Sequence, residues 1–371
     1  MNNINENNKI LNISFNQDNS CFSLSTERGF KIYETIPLQK EYSRNIDGGI
    51  KQAELYYRSN ILALIGGGDH PKFNPKKLII WDDSLNQEIS NINFFTYVKN
   101  VKLKKDKIYV ICEKNICVFN LKTMENIEII ITKENPKGLF CISSDENNDI
   151  IAYIGMKENN DSNKKYVNIK NYETLKEIEI NTQEEILSYI SLNHQGNLLA
   201  VANEKGINIK IYNCLNGDLL GDLYRGKEKA EIHYICFDKL SNYLALTSDR
   251  GTIHIWTLKR VQQKLIESNN NDIKEIKKEE DESLKNKENK ENIIIDEIDE
   301  LQENKKKIFS KNEKSFAQIR LNSKKSICSF QENNIIVVIT HEGIYYQVKL
   351  EPKHGGNCQI IQQKELKIFG T

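Results

Sequence analysis

The chain has 371 residues, of which 39% are hydrophobic, so it can form two ordinary domains or one large all-β domain with a sizeable core. Its 52 basic and 52 acidic residues give a formal net charge of +0, which excludes bulk attraction to nucleic acid or to an anionic membrane. No run of about 18 apolar residues occurs, and the N-terminus MNNINENNKI lacks a signal-peptide core. We therefore expect a cytoplasmic protein, or one that is peripheral to a membrane.

A repeating pattern of short strands begins near the N-terminus and continues along the chain. Each unit of roughly 40–45 residues offers about four short strands, with a Gly-containing turn before a strand that ends in an aromatic residue. One such sheet cannot bury both of its faces by itself, whereas radial stacking of seven sheets buries both faces of each sheet. The pattern therefore predicts an all-β fold, a WD-repeat-like seven-bladed β-propeller that forms a single domain over 1–371. We expect the N- and C-terminal strands to share a blade. The units are Ile10–Thr35, Ala53–Phe95, Val98–Thr132, Pro136–Thr182, Ile186–Tyr224, a sixth that begins at Glu231, and Lys325–Phe369.

The sixth unit is interrupted by a long polar segment, Val261–Lys314, which is rich in Lys, Glu and Asn. This composition predicts a disordered, low-complexity loop inserted in blade six. Two interpretations of its second half remain open, because four apolar side chains there follow helical spacing. The segment is either an amphipathic helix that enters a membrane surface or a solvated tract of mixed charge. The four residues are Ile294, Ile298, Leu301 and Ile308.

A hairpin is predicted within the stretch Leu223–Trp256. An Asp-x-Gly turn at Asp249–Gly251 separates two alternating runs, Tyr243–Ser248 and Thr252–Trp256, which is a strong hairpin signal. Because side chains alternate along a strand, Thr252 and His254 are expected on one face, with Ser248 just across the turn. With Arg225 near in the chain, these groups predict a small anion pocket. A hydrated strand face is the alternative.

Catalysis and metal binding are not expected from the sequence. The 8 cysteines show no CxxC spacing and mostly lie in apolar runs, which predicts buried thiols in a reducing compartment rather than a zinc site. The histidines are scattered without a Ser-His-Asp or Cys-His arrangement. The glycines at Gly66–Gly68 lack the Lys-Ser/Thr of a P-loop. We expect no enzyme activity, no cofactor and no metal.

Several separate segments together resemble one family. FNQDNSCFSLSTERGFKIYET, NILALIGGG, PKFNPKKLIIWDD, EKGINIKIYN, SDRGTIHIW and SFAQIRL follow one another in family order over nearly the whole chain. On these segments the chain resembles the PROPPINs, the WIPI-type seven-bladed propellers that bind phosphoinositides in autophagy. The family's Phe/Leu-Arg-Arg-Gly motif reads Leu223-Tyr224-Arg225-Gly226 here, so the first arginine is replaced by tyrosine.

The resemblance implies two phosphoinositide pockets, one well kept and one eroded. In the main pocket Arg225 is expected to pair with the 3-phosphate of the lipid. In the second pocket lysine stands for an arginine at Lys210, isoleucine for a threonine at Ile207 and Gln183 for a histidine, so donors to phosphate are weakened or lost. The implied main pocket comprises Arg225, Gly226, Ser248, Arg250, Thr252 and His254. The implied eroded pocket comprises Asn203, Lys205, Gly206, Lys210 and Tyr224.

The resemblance also implies a function and partners. The expected role is recruitment of partners to membranes marked by phosphatidylinositol 3-phosphate during autophagosome formation, with phosphatidylinositol 3,5-bisphosphate as an alternative lipid. An autophagy lipid-transfer protein is expected on blades one to three, with Asn16 and Asp18 in its surface, although both residues also favour a plain β-turn.

The expected protein is a monomer that binds no nucleic acid and is recruited from the cytoplasm to autophagic or endosomal membranes. The heavy use of Asn, Lys and Ile suggests an AT-rich genome. An apicomplexan source would make a plastid-associated membrane the alternative location. A propeller scaffold for proteins, with weakened or lost lipid binding, is the alternative function.

Overall fold

The computed structural model describes residues 9–155, 166–182, 186–271 and 313–366. The described chain forms seven sheets in sequence order, each built on four antiparallel strands, and two of the sheets gain a short parallel strand from later in the chain. The innermost strands of neighbouring blades contact one another at five junctions, and apolar clusters join blade three to blade four and blade seven to blade one. The prediction of a seven-bladed β-propeller is confirmed.

Blades one to four each contain four strands. Blade one is β1 Ile10–Phe15, β2 Cys21–Thr26, β3 Gly29–Glu34 and β4 Gln39–Asn45. Blade two is β5 Ile50–Leu55, β6 Ile61–Gly66, β7 Lys77–Asp82 and β8 Gln87–Asn93. Blade three is β9 Asn100–Lys104, β10 Lys107–Ile111, β11 Asn115–Asn120 and β12 Asn126–Ile131. Blade four is β13 Phe140–Ile142, β14 Ile150–Ile154, β15 Tyr166–Asn171 and β16 Glu177–Asn181.

Blades five and six each gain a short fifth strand that adds in parallel to the outer edge. Blade five is β17 Leu187–Leu192, β18 Leu198–Asn203, β19 Asn208–Asn213 and β20 Leu219–Tyr224, extended by β24 Glu313–Lys314. Blade six is β21 Ile232–Phe237, β22 Tyr243–Ser248, β23 Thr252–Thr257 and β25 Ala317–Arg320, extended by β29 Gly356–Asn357. Blade seven is β26 Ser326–Gln331, β27 Ile335–Thr340, β28 Ile344–Lys349 and β30 Gln359–Glu365.

The middle strands of each blade are apolar on both faces, because each sheet is covered on both sides by its neighbours. In β22 and β23, for example, Leu244, Leu246 and Trp256 pack towards blade five, whereas Ala245 and Ile255 pack towards blade seven. The outermost strands alternate instead, as in β8, where exposed and half-buried residues follow each other. The core is therefore a ring of apolar layers between blades.

The ring closes differently from the sequence prediction. Blade one and blade seven are each complete sheets of consecutive strands, so the expectation of a blade shared by the two termini is wrong for the described residues. Side-chain packing joins the two blades in one apolar cluster. Tyr345 also donates from its hydroxyl to the carbonyl of Thr35 at 2.7 Å, and Gln331 donates to the carbonyl of Asn19 at 3.1 Å. The ring closes without an exchanged strand because an apolar cluster and these two hydrogen bonds join blade one to blade seven.

The predicted loop over 261–314 also needs a correction at its two ends. Residues 259–271 form a helix, α1, whose Val261 is buried in the apolar cluster of blades five and six. Ser268 of α1 accepts from Asn213 at 3.0 Å and donates to Asp218 at 2.9 Å, which fixes the helix on blade five. The segment ends in strand β24. Residues 272–312, including the four apolar residues at helical spacing, lie outside the described residues.

Within the part of the chain that the structure describes, no helix has the length and apolar character needed to cross a membrane.

Candidate anion site between blades five and six

The predicted main pocket lies where the outer edges of blades five and six meet. Arg225 directly follows β20 of blade five, and His254 lies on β23 of blade six. Strand β24 pairs in parallel with the end of β20, with Tyr224 opposite Lys314. Trp256 donates from its indole nitrogen to the carbonyl of Glu313 at 3.1 Å. The short strand after the long segment thus contacts both blades beside the site.

Arg225 is largely buried, with 8% of its surface exposed. Its Nε donates to the carbonyl oxygen of Gly206 and its Nη2 to that of Glu228. Burial lowers the pKa of its guanidinium, and the nearby charge of Arg250 lowers it further. Because both of these hydrogen-bond acceptors are neutral carbonyls, they orient the guanidinium without neutralising its charge.

The turn beneath Arg225 is built by Asn203, Lys205 and Gly206. The Asn203 side-chain oxygen accepts from the backbone nitrogens of Lys205 at 3.1 Å and Gly206 at 3.0 Å. Gly206 has φ +58, and a Cβ added there would meet the carbonyl oxygen of Ala230 at 2.2 Å. Only glycine fits this turn. Asn203 and Gly206 therefore position Arg225, a role that their assignment to the eroded pocket did not anticipate.

The predicted hairpin is present with Gly251 at φ +69 in its turn. Ser248 is buried at the end of β22, where its hydroxyl accepts from the backbone nitrogen of Arg250 at 3.4 Å. Arg250 itself donates to the carbonyl of Lys229 and pairs with the exposed carboxylate of Glu228 at 3.2 Å. Thr252 is half-buried at the start of β23. Through Arg250, the hairpin of blade six contacts residues 228–229, which follow Arg225 of blade five.

His254 is buried and stacks on Trp256, with ring centroids 5.7 Å apart. Its Nδ1 lies 3.3 Å from the hydroxyl of Ser315. Burial and the charge of Arg225 lower the pKa of His254 to about 4. The ring is therefore neutral near pH 7 and can donate from one nitrogen only.

An Arg225→Ala substitution should raise the pKa of His254 from about 4 towards the ordinary value of 6.5. The positive charge of Arg225 disfavours protonation of the ring, so its removal makes the imidazolium easier to form. Heteronuclear NMR of histidine ring protons across pH 3–8 measures this shift, and a His254→Gln variant identifies the signal. An unchanged midpoint in Arg225→Ala would show that the two side chains do not face each other.

Gly226 adjoins Arg225 and leaves space next to it. A Cβ added at this position would meet no atom within 4 Å, in contrast to Gly206. The residues that follow, 227–229, are exposed. The strip beside the arginine is thus exposed, and its carbonyls at Glu228 and Lys229 accept from Arg225 and Arg250.

The implied eroded pocket is not organised around free cations. Lys210 on β19 lies directly opposite Asp222 on β20, where neighbouring side chains of opposite charge interact. Tyr224 is half-buried opposite Asn208. Lys205 is exposed at the tip of the turn. Gln183 lies outside the described residues. A carboxylate opposite Lys210 reduces the attraction of this surface for phosphate.

The implied partner surface is a turn between β1 and β2. Asn16 is buried, donates to the carbonyl of Tyr57 at 3.2 Å and accepts from the backbone nitrogen of Cys21 at 3.0 Å. Asp18 is exposed and accepts from the hydroxyl and backbone nitrogen of Ser20. Both residues therefore stabilise the turn, and only Asp18 presents its side chain at the surface.

The sequence analysis did not identify the residues after position 312 that lie beside the site. Ser315 contacts His254, and the backbone of Glu313 accepts from Trp256. It also missed the carbonyls of Gly206 and Glu228 that hold Arg225. Backbone groups leave no signal in a sequence, and the parallel pairing of β24 depends on a register that only the folded sheet defines.

Comparison with known proteins agrees with this architecture. The family model described as PROPPIN matches residues 10–367. The chain belongs to the PROPPIN family. This PROPPIN is 28% identical over 360 residues to autophagy-related protein 18e of Arabidopsis thaliana, a match that covers 96% of this chain and 87% of the relative. It is 27% identical to autophagy-related protein 18 of Dictyostelium discoideum, with 96% and 93% covered.

Solved structures are similar over nearly the whole PROPPIN chain. Hsv2 of Kluyveromyces lactis aligns with a TM-score of 0.71 at 19% identity and covers 97% of this chain and 100% of its own. KlAtg21, solved in a complex with the coiled-coil of AgAtg16, has a TM-score of 0.71 at 18% identity, with 97% and 100% covered. At these identities the likeness shows the seven-bladed fold.

Proposed function

We propose that this PROPPIN acts in autophagy as a peripheral membrane protein that binds phosphatidylinositol 3-phosphate with one pocket and recruits partners to the marked membrane. The observation that carries the proposal is a buried guanidinium, Arg225, which backbone carbonyls of Gly206 and Glu228 hold beside the open space at Gly226. Two of its relatives are named autophagy-related protein 18, which supports the process.

In this proposal the phosphate enters over Gly226. Arg225 keeps the carbonyl of Gly206 as its anchor and exchanges the carbonyl of Glu228, which belongs to the exposed 227–229 strip, for a phosphate oxygen. The exchange is favourable because a charge-assisted bond to phosphate is stronger than a bond to a neutral carbonyl. Thr252 and His254 donate to the remaining oxygens, and Ser248 supports the hairpin turn through its bond to the backbone of Arg250.

The second pocket contributes little in this proposal, since Lys210 faces Asp222 and Tyr224 replaces an arginine. The membrane is then held by one headgroup and a further weak attachment, because a single pocket gives modest affinity. Phosphatidylinositol 3,5-bisphosphate is the alternative ligand. A lipid-transfer protein on blades one to three, near the exposed Asp18, is the proposed protein partner.

Replacing Arg225 by alanine should weaken binding to vesicles of phosphatidylcholine and phosphatidylinositol 3-phosphate by at least about tenfold, since one charge-assisted contact is worth about 1.5–3 kcal/mol. Vesicle flotation, with plain phosphatidylcholine vesicles as the blank, measures the change. Lys210→Ala is the matched control, and we expect it to change binding less.

Arg225→Lys separates lost charge from lost geometry, because lysine keeps the charge without the planar fork. We expect it to bind between wild type and Arg225→Ala. Equal flotation by wild type and a folded Arg225→Ala would leave the scaffold for proteins as the function. That alternative draws on the hydrogen bonds from Nε and Nη2 of Arg225 to backbone carbonyls, which hold the guanidinium without a ligand.

A further inference from the structure

The centre of the propeller contains a cavity of about 340 Å³ to which the innermost strands of all seven blades contribute. Four of those strands carry a β-bulge at their second residue, in blades one, two, five and six. A bulge redirects the extra side chain. Three of the four bulged residues, Leu11, Lys51 and His233, line the cavity. The bulges thus place one lysine and one histidine there that a regular strand would direct elsewhere.

The lining of this channel cavity is strongly basic. Five lysines line it, and none of the described residues that line it is an aspartate or a glutamate. Burial lowers the pKa of His233 and that of His341, the latter to about 4, so these two lining histidines add no charge near pH 7. Because the whole chain has a net charge of +0, this concentration of one sign is local. The five lysines that line the cavity are Lys51, Lys99, Lys102, Lys137 and Lys325.

Carboxylates outside the lining neutralise only part of this charge. Lys102 pairs with Glu54 at 2.8 Å and Lys99 with Glu113 at 3.5 Å. Among the described residues, no carboxylate forms an ion pair with Lys51, Lys137 or Lys325. At least three cations therefore converge on the cavity without a counter-ion from the described chain.

The cations act on one another across the cavity. The Nζ of Lys51 donates to the carbonyls of Val98 and Lys99 at 3.0 and 2.7 Å, so it is fixed close to Lys99. Burial and the charge of Lys99 lower the pKa of Lys51 to about 8. Both ring nitrogens of His341 are buried without a hydrogen-bond partner, next to Lys325. A bound anion would relieve the repulsion between the lysines and accept from the single N–H of the neutral His341 ring.

We propose that the channel cavity binds a small, multiply phosphorylated anion. Its volume falls at the lower end of small-molecule sites, which range over about 300–1,000 Å³. Lysine ammonium groups bind phosphate as point charges, and several of them around one centre favour a ligand with several phosphates over a single carboxylate. None of the six residues assigned to the lipid pocket lines this cavity, although Lys137 also lines a neighbouring pocket that includes Arg250.

The test is calorimetric titration of the full chain with inositol hexakisphosphate. Lys137 and Lys325 are both exposed, so a Lys137→Glu/Lys325→Glu variant reverses two charges at the cavity without altering the core. Lys122→Glu/Lys176→Glu makes the same change in net charge at exposed positions elsewhere and is the matched control. We expect at least about tenfold weaker binding for the cavity variant and wild-type binding for the control.

A second arm distinguishes a soluble ligand from a membrane headgroup. If the cavity variant loses hexakisphosphate binding but still floats with phosphatidylinositol 3-phosphate vesicles, the ligand is soluble; if it also loses flotation, the cavity takes a headgroup. Arg225→Ala should retain hexakisphosphate binding, which separates this site from the lipid pocket. No binding by wild type, equal weakening in the control, or equally tight binding of a hexaglutamate peptide would overturn the proposal.

Discussion

Replacing Glu54 by leucine is expected to lower the free energy of unfolding by about 3 kcal/mol, because it removes the acceptor of three hydrogen bonds and leaves the partly exposed Lys102 without its partner. The Glu54 side chain is 3% exposed. It accepts from Ser14 at 2.8 Å, Gln52 at 3.2 Å and Lys102 at 2.8 Å. One carboxylate therefore bonds the innermost strands of blades one, two and three.

The loss of stability in Glu54→Leu should be large for two reasons. Leucine cannot accept the three hydrogen bonds, and it also leaves Lys102 unpaired in a cavity that already holds four other lysines. Urea denaturation followed by circular dichroism measures the change. A Glu54→Leu/Lys102→Met double variant should regain part of the stability, since it removes the unpaired charge together with its former partner.

The matched control for Glu54 is Glu173→Leu. Glu173 pairs with Lys105 at the same distance of 2.8 Å, but its side chain is 41% exposed. We expect a loss of no more than about 1 kcal/mol there, because solvent screens exposed pairs. Equal losses at the two positions would contradict the view that Glu54 links three blades through a buried network.

A Gly206→Ala substitution is expected to cost about 2–4 kcal/mol and to weaken vesicle binding with it. The added Cβ would lie 2.2 Å from the carbonyl oxygen of Ala230 in a backbone at φ +58. The turn must shift to relieve this contact. Because the carbonyl of Gly206 accepts from Nε of Arg225, the guanidinium should move with the turn.

Gly226→Ala is the control, because a Cβ at 226 meets nothing within 4 Å and needs no left-handed backbone. We expect stability within about 0.5 kcal/mol of wild type at 226. Thermal unfolding and flotation of the two variants give the comparison. If Gly206→Ala keeps wild-type flotation, the turn does not position Arg225 for a ligand.

The two glycines also show how the site is divided between a rigid and an open part. The carbonyl of Gly206 accepts a hydrogen bond from Arg225. In our proposal, the headgroup approaches over Gly226 and the exposed 227–229 strip. Such a division suits a pocket whose charge is held in place before binding, which reduces the ordering cost of binding.

The sequence by itself determined the repeat and its consequence. Strand periodicity, the Asp249–Gly251 turn and the seven units predicted the propeller, and the hairpin strands β22 and β23 appear within one residue of their predicted bounds. These features are local, because side-chain alternation and turn chemistry depend on residues close together in the chain. The motif at Leu223–Gly226 likewise predicted that Arg225 and the hairpin face form one pocket.

Only the tertiary structure decided how the ring closes, that 259–271 fold as a helix on blade five, and which groups hold Arg225. It also gathered lysines from blades two, three, four and seven around one cavity, although they are far apart in sequence. Each of these features depends on contacts between blades, on backbone carbonyls or on a one-residue bulge. Such contacts arise when sheets pack at a defined register, and no local pattern in the sequence encodes that register.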